Sequence, residues 1–339
     1  MSTDRRRFAV AATVDGSVQR LAHEEGSLTT LLVASAGGHL EQLLQLRPRL
    51  EVDTDITWVT YEVPPARNRL ANEQVVGAYH PTTKNVPNAV RNYRLARRVF
   101  AEHETDQVIS TGAAVAVPFM VRARQLDIPC HYIESATRVD GPSLSGRILQ
   151  RLRGVHLYRQ LGDWGSPRWK AGPCVFDGYA TGERPTGQIG RVVVSLGTHD
   201  FAFDAAVARL SELFRDLDVD VLWQLGSTPD PGGLPGRVVS RLPAHELQEA
   251  IEEADVVVGH AGVGLSLTAL YAGKVPVLLP RRRRRHEHTD DHQVQLAREL
   301  HRRGLAISTE VEELSLEYLE RAGSRKTVYE RPEPFHLVD

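Results

Sequence analysis

The amino-acid sequence predicts an α/β protein of two domains, each built on a parallel sheet, with the two sheets facing a central cleft. Three observations carry this prediction. A chain of 339 residues exceeds the size at which one hydrophobic core stays single, and 41% apolar with 25% charged residues is ordinary globular composition. From residue 28 onward, short apolar or β-branched runs lead through Gly, Ser or Asp turns into stretches of helical apolar spacing, the rhythm of βαβ units. A segment dense in Gly, Pro and Thr, residues 177–190, divides one such series from a second.

The first series places strands at 29–34, 56–61, 75–79, 107–110 and 130–133, with helices at 40–50 and 89–102. In the second, strands fall at 191–195, 219–224, 237–241, 255–259 and 275–279, with helices near 203–217, 244–252 and 290–303. Crossover connections of this kind require parallel pairing. The expected organisation is a polar N-terminal extension (1–27) outside the fold, a first domain (28–176), a linker (177–190) too poor in apolar spacing to form an element, a second domain (191–322) and a tail (323–339).

Composition narrows the function. Lys plus Arg (41) nearly balance Asp plus Glu (43), so no global field recruits nucleic acid. The two cysteines, Cys130 and Cys174, have no CxxC spacing; they support neither a zinc site nor a disulfide framework and read as small buried hydrophobes of a cytoplasmic protein. No run approaches the roughly 20 apolar residues of a membrane span, and the start of the chain leads into no signal-type region.

Ligands of open parallel sheets bind beyond the carboxyl ends of the strands, so the loops after each strand are the places to search. The first loop is Ser35-Ala-Gly-Gly-His-Leu40. Gly37 and Gly38 let the backbone approach a ligand, and the helix start favours an anion. His39 reads either as the general base that takes a proton from an acceptor hydroxyl or as a helix-terminus hydrogen bonder. A second loop, Ser110-Thr-Gly-Ala-Ala114, holds Gly112. In the third, Glu134-Ser-Ala-Thr-Arg138, Glu134 suits a sugar hydroxyl and Arg138 a phosphate, or the two form an ion pair.

The second half opens with Ser195-Leu-Gly-Thr-His-Asp-Phe201, where backbone amides beside Gly197 and the Thr198 hydroxyl suit a diphosphate. The richest run is His260-Ala-Gly-Val-Gly-Leu-Ser-Leu-Thr268. Its turn of Gly262, Val263 and Gly264 offers helix-start donors beside His260. Further on, His286-Glu-His-Thr-Asp-Asp-His-Gln293 supplies Asp290, Asp291 and Gln293, side chains of the kind that grip sugar hydroxyls. The same His and Asp residues lack the fixed ligand frame of a metal site, so none is expected. Residues 281–285 are five consecutive arginines, read as a solvated loop beside the phosphate site, with at least three of the five uninvolved.

These residues carry a family resemblance. Gly262-Val-Gly264, the Gly273-Lys-Val-Pro turn and Glu287-His-Thr-Asp-Asp-His-Gln293 resemble the donor-binding half of glycosyltransferase family 28, especially bacterial exopolysaccharide transferases. Ser195-Leu-Gly-Thr-His-Asp-Phe201 is similar to the start of the catalytic subunit of the two-subunit N-acetylglucosaminyltransferase of dolichol-linked oligosaccharide assembly. Ser35-Ala-Gly-Gly-His39, Ser110-Thr-Gly112 and Tyr132-Ile-Glu-Ser135 through Arg138 are similar to its membrane-recruiting subunit, so the chain resembles both subunits fused.

The resemblance implies a GT-B fold of two Rossmann-like domains and inverting, metal-independent transfer from a UDP-sugar. It implies no cofactor, since the UDP-sugar is a substrate. It assigns the diphosphate to Gly197, Thr198, Gly262, Val263 and Gly264, and donor hydroxyls to Asp290, Asp291 and Gln293. The acceptor, either a polyprenyl-diphosphate-linked saccharide or a soluble small molecule, falls to the first half, with His39 as base.

Two departures stand out. Leu265 and Thr268 occupy places where the family often has the Ser and Glu of the ribose site, and no apolar anchor opens the chain. Membrane contact is therefore expected to be peripheral, at the inner face of the plasma membrane, through residues 85–102. There Val90, Leu95, Val99 and Phe100 interleave with Arg91, Arg94, Arg97 and Arg98; an ordinary packed helix has the same pattern. A nucleotide-sugar 2-epimerase and a module that has lost donor binding are the rival readings. A nicotinamide dehydrogenase is disfavoured because neither half has GxGxxG spacing.

Overall fold

A computed structural model describes residues 12–14, 17–19, 28–50, 52, 55–81, 85–185, 187–197, 201–288 and 290–338. Of the N-terminal extension only β1 (Ala12–Val14) and β2 (Ser17–Gln19), an antiparallel pair, belong to that set; the rest of that expectation lies outside the described residues.

The first domain is a seven-stranded sheet. Its strands are β3 (Thr30–Ala34), β4 (Ile56–Thr60), β5 (Gln74–Gly77), β6 (Gln107–Gly112), β7 (Cys130–Ile133), β8 (Val155–Arg159) and β9 (Trp169–Ala171), in the order β5-β4-β3-β6-β7-β8-β9. Every neighbouring pair is parallel. After β10 (Tyr179–Glu183) comes the second sheet: β11 (Arg191–Ser195), β12 (Asp220–Gln224), β13 (Arg237–Val239), β14 (Val256–His260), β15 (Val277–Leu279) and β16 (Ile307–Ser308), also parallel, in the order β13-β12-β11-β14-β15-β16. Central strands covered on both faces are apolar throughout, which is why Leu31-Leu-Val-Ala34 and Val256-Val-Val258 were legible as strands. β9 and β16 are too short to show a period, and β8 carries His156 and Arg159.

Helices α1 (Gly38–Leu46), α2 (Pro64–Arg69), α3 (Val86–Glu102), α4 (Ala116–Gln125) and α5 (Leu144–Leu149) belong to the first domain. The second contributes α6 (Asp204–Phe214), α7 (Ala244–Glu253), α8 (Val263–Tyr271), α9 (His292–Arg302) and α10 (Leu316–Gly323). α3 begins three residues before its expected start because Asn85 caps it, accepting from the Asn88 amide at 3.0 Å, and proline stands in its first turn.

Two expectations are corrected. The linker 177–190 is not without structure: β10 pairs antiparallel with β17 (Arg325–Tyr329) from the far end of the chain. Nor does the tail leave the fold. The Phe335 amide donates to the Arg49 carbonyl at 2.7 Å, and the Phe335 ring stands edge-on to Tyr158. In both cases the partner is remote in sequence, so no local pattern announces it. Cys130 and Cys174 are free and buried as expected, and burial pushes both thiols up to about 12.

One apolar cluster runs from Leu40, Leu43 and Leu46 of α1 to Val263, Leu267 and Leu270 of α8, tying the domains together. Within the second sheet, a Cβ on Gly259 would lie 2.2 Å from the Leu265 Cδ2 and 2.3 Å from the Ser195 carbonyl oxygen. Overpacking of that kind costs about 1–3 kcal/mol. Gly259→Ala should therefore lower the thermal midpoint by about 2–12 °C, at about 2–4 °C per kcal/mol for a domain of this size; an unchanged midpoint in differential scanning calorimetry would show that the sheet relaxes freely around the methyl group.

Candidate active site

Both sheets reverse their winding order once, between β3 and β6 and between β11 and β14. A crevice opens outside the strands' carboxyl ends where the order reverses. In the first domain that crevice is bounded by Gly37, Gly38 and His39 after β3 and by Gly112 at the end of β6; in the second, by Gly197 after β11 and by Gly262 to Gly264 after β14.

His39 is half-exposed on the first turn of α1. Its Nδ1 lies 2.7 Å from the Thr111 carbonyl oxygen, and the Thr111 hydroxyl donates to the His39 carbonyl at 2.7 Å. A carbonyl only accepts, so Nδ1 carries the proton and the neutral ring keeps its lone pair on Nε2. Burial lowers the imidazole pKa, aided by the charge of Arg138 and by His292. The left-handed backbone of Gly112, φ +103, and its missing Cβ leave room for the His39 ring, 3.2 Å from where that Cβ would stand. Gly37 and Gly38 are exposed, with open space above both.

Glu134 is completely buried. Its carboxylate accepts from the Ser135 amide at 3.0 Å, the Ser143 amide at 2.8 Å and the Tyr132 hydroxyl at 3.3 Å, while burial raises its pKa. Those bonds make it the brace of loop 134–143. It does not pair with Arg138, whose guanidinium crosses to the second domain and meets Asp290 Oδ2 at 3.1 Å. Asp140 makes a second crossing to Arg298 at 2.6 Å.

In the second domain His260 is buried with its ring between two glycines. A Cβ on Gly197 would lie 2.6 Å from the ring, and one on Gly262 2.3 Å from Nε2. His260 therefore spaces the two turns. Val263 is buried in the interdomain cluster, so what it offers a ligand is its amide. The N–H groups of Val263, Gly264 and Leu265 open α8 and have no intrahelical acceptor. Above Gly264 there is open space. Thr198 lies outside the described residues.

The two sequence departures have physical explanations. Leu265 turns into the core beside Val193, Val257 and Ala269. Thr268 spends its hydroxyl on the Gly264 carbonyl, one turn back at 2.9 Å.

Asp290 is the centre of a polar cluster. His292 Nδ1 hydrogen-bonds its Oδ1, and His288 Nδ1 lies 3.3 Å from the same oxygen and accepts from the Asp290 amide at 3.4 Å. These two imidazoles, ahead of the charge of Arg138, hold the Asp290 carboxyl far below the usual range. Among the described residues His288, Asp290 and His292 are also the one group that brings metal-ligand atoms together, all within 4.8 Å of one another. Asp291 is exposed at the start of α9 and accepts from the Arg283 amide at 3.0 Å. Gln293 is buried, and its Oε1 accepts from the Arg281 amide at 3.1 Å, so its oxygen holds the loop.

The reading of residues 281–285 as a solvated run is corrected for three members. Arg281 is inside the domain, Arg282 forms a double contact with Glu310, and Arg285 meets Glu312 at 2.8 Å; Arg283 and Arg284 remain exposed. A signal was available: Arg281 directly follows Pro280 and the wholly buried β15.

Residues 236–332 match the glycosyltransferase family 28 C-terminal domain, which spans the α8 turn and the Asp290 cluster. No curated protein sequence matches the chain. Among solved structures, the glycotransferase of kitacinnamycin superposes with a TM-score of 0.60 at 18% identity, covering 88% of this chain and 90% of that one. CalG4, the calicheamicin glycosyltransferase, gives 0.57 at 18% identity over 88% and 90%. MurG of Acinetobacter baumannii gives 0.56 at 17% identity over 86% and 89%. The chain thus has the GT-B fold of these glycosyltransferases, and over residues 236–332 it is similar to the family 28 C-terminal domain.

Proposed function

We propose that the protein is an inverting glycosyltransferase that moves a sugar from a UDP-sugar to an acceptor hydroxyl. One observation carries the reading: a histidine whose proton is pinned on Nδ1 opens α1, and α1 packs against α8, whose glycine turn and helix-start amides suit a diphosphate. The acceptor oxygen attacks the anomeric carbon, its proton passes to His39 Nε2, the bond from that carbon to the diphosphate oxygen breaks, and UDP leaves with the electron pair. Amides of the α8 start and of the turn at Gly197 stabilise the growing negative charge. In this reading Asp290 and Asp291 take the donor-sugar hydroxyls.

No metal is required in this scheme. Chelation by EDTA should leave turnover unchanged; a loss reversed by a divalent cation would overturn the metal-free mechanism.

For the acceptor, the surface of the first domain favours a lipid-linked saccharide. α3 exposes Val86 and Val90 among Arg91, Arg94, Arg97 and Arg98, and α5 exposes Leu144 and Ile148 beside Arg147. Both helices pack on α4, so the two patches share one side of the sheet. An apolar and basic face of this kind suits anionic lipid. No described helix is long and apolar enough to cross a membrane, so contact of this type is peripheral.

Three outcomes follow. His39→Ala should lower kcat by about 10²- to 10⁴-fold; a loss below about tenfold would remove the histidine from the base role. Because the neutral ring is the active form and burial lowers its pKa, activity should be lost only as pH falls through a value below 6.5, seen as the acid limb of kcat/KM. Vesicles containing phosphatidylglycerol should sediment the protein in a salt-sensitive way, and Val90→Glu with Leu144→Glu should abolish this. The decisive experiment is a donor screen read by UDP release, with polyprenyl-diphosphate-linked and soluble acceptors side by side. Preference for soluble acceptors overturns the lipid-linked part, and conversion of donor alone would instead indicate an epimerase.

A further inference from the structure

Arg281 is the least expected charge in the molecule. Its side chain is 1% exposed, at the carboxyl end of β15. Nη2 donates to the Leu196 carbonyl at 2.7 Å; Nη1 donates to the Phe201 carbonyl and lies 3.4 Å from that of Ala202 and 3.5 Å from that of Glu287. The guanidinium also lies over the Phe203 ring, 5.0 Å from its centroid. Nε is buried with no partner among the described residues. No described carboxylate pairs with it: Glu287 turns its Oε2 to the Arg282 amide at 2.9 Å.

Burying a cation is costly, and main-chain carbonyls offset only part of that cost. The geometry gives the cost a purpose. Leu196, Phe201, Ala202 and Phe203 flank the loop that begins with Gly197, between β11 and α6. The same guanidinium thus fixes both ends of the loop that begins with Gly197. We propose that Arg281 is a positioning residue for the donor diphosphate, clamping the Leu196, Phe201 and Ala202 carbonyls so that the turn at Gly197, which shares the His260 ring with Gly262, is held beside the α8 start. The proposal rests on the nucleotide-sugar reading above.

Calorimetry of the full chain with UDP, UMP and uridine tests it, on wild type, Arg281→Met and Arg281→Lys, with thermal midpoints measured alongside. Wild type should prefer UDP. Arg281→Met should lose about 10- to 100-fold in UDP affinity, with uridine affinity unchanged. Arg281→Lys keeps the charge but not the fork, and its loss should be intermediate and confined to UDP; this variant carries the test if the methionine variant does not fold. Unchanged UDP binding, or equal loss of UDP and uridine, overturns the inference, the latter marking Arg281 as general structural support. Failure of wild type to bind UDP at all is a different result, and sinks the donor reading itself.

Discussion

Each sheet changes winding direction at one point, and everything chemical in the protein depends on those two reversals. Where β3 meets β6, and again where β11 meets β14, successive connections leave toward opposite faces, so no helix covers the carboxyl ends. The backbone must then turn sharply in a space crowded by its neighbour. Glycine answers that demand, at Gly112 beside His39 and at Gly197 and Gly262 around His260. At both reversals the missing side chains first make room for an imidazole, and only the amides left over face the cleft.

The two imidazoles have opposite fates. His260 is closed in between its glycines and acts as a spacer, whereas His39 remains half-exposed with its tautomer set by one carbonyl. Around His39 the first domain is stiffened by a satisfied polar network: Glu134 gathers the Ser135 and Ser143 amides and the Tyr132 hydroxyl, and Gln42 bridges the Ala136 amide and Gln160. Such networks hold one geometry because any rearrangement leaves a buried group unpaired. The loop they hold carries Arg138 across to Asp290, so the two domains are linked by residues that border the cleft.

Much of the fold was legible in the sequence because strands buried on both faces are continuous apolar runs and helices carry a period of their own. The strands 130–133 and 191–195 have the bounds their patterns indicate. β10 and β17 were not legible, since each is stable only through the other, and their sequences are those of a linker and a tail. Among the candidate residues, the glycines were placed by chain logic alone: a turn after a strand, at the start of a helix. Side-chain roles were less accessible. Glu134 and the oxygen of Gln293 are held by hydrogen bonds to the backbone of loops that no local pattern announces.

The amino-acid sequence by itself determined the two α/β halves, the loops that border the cleft and the glycine turns fit for phosphate, because apolar period and backbone freedom are local properties. Only the tertiary structure decided which polar groups face the cleft. It pinned His39's proton with Thr111, buried Glu134, joined Arg138 to Asp290 and drew Arg281 out of an arginine run into the domain. The physical reason is common to all four: each role is fixed by a hydrogen-bond partner or a depth of burial that residues remote in the chain supply.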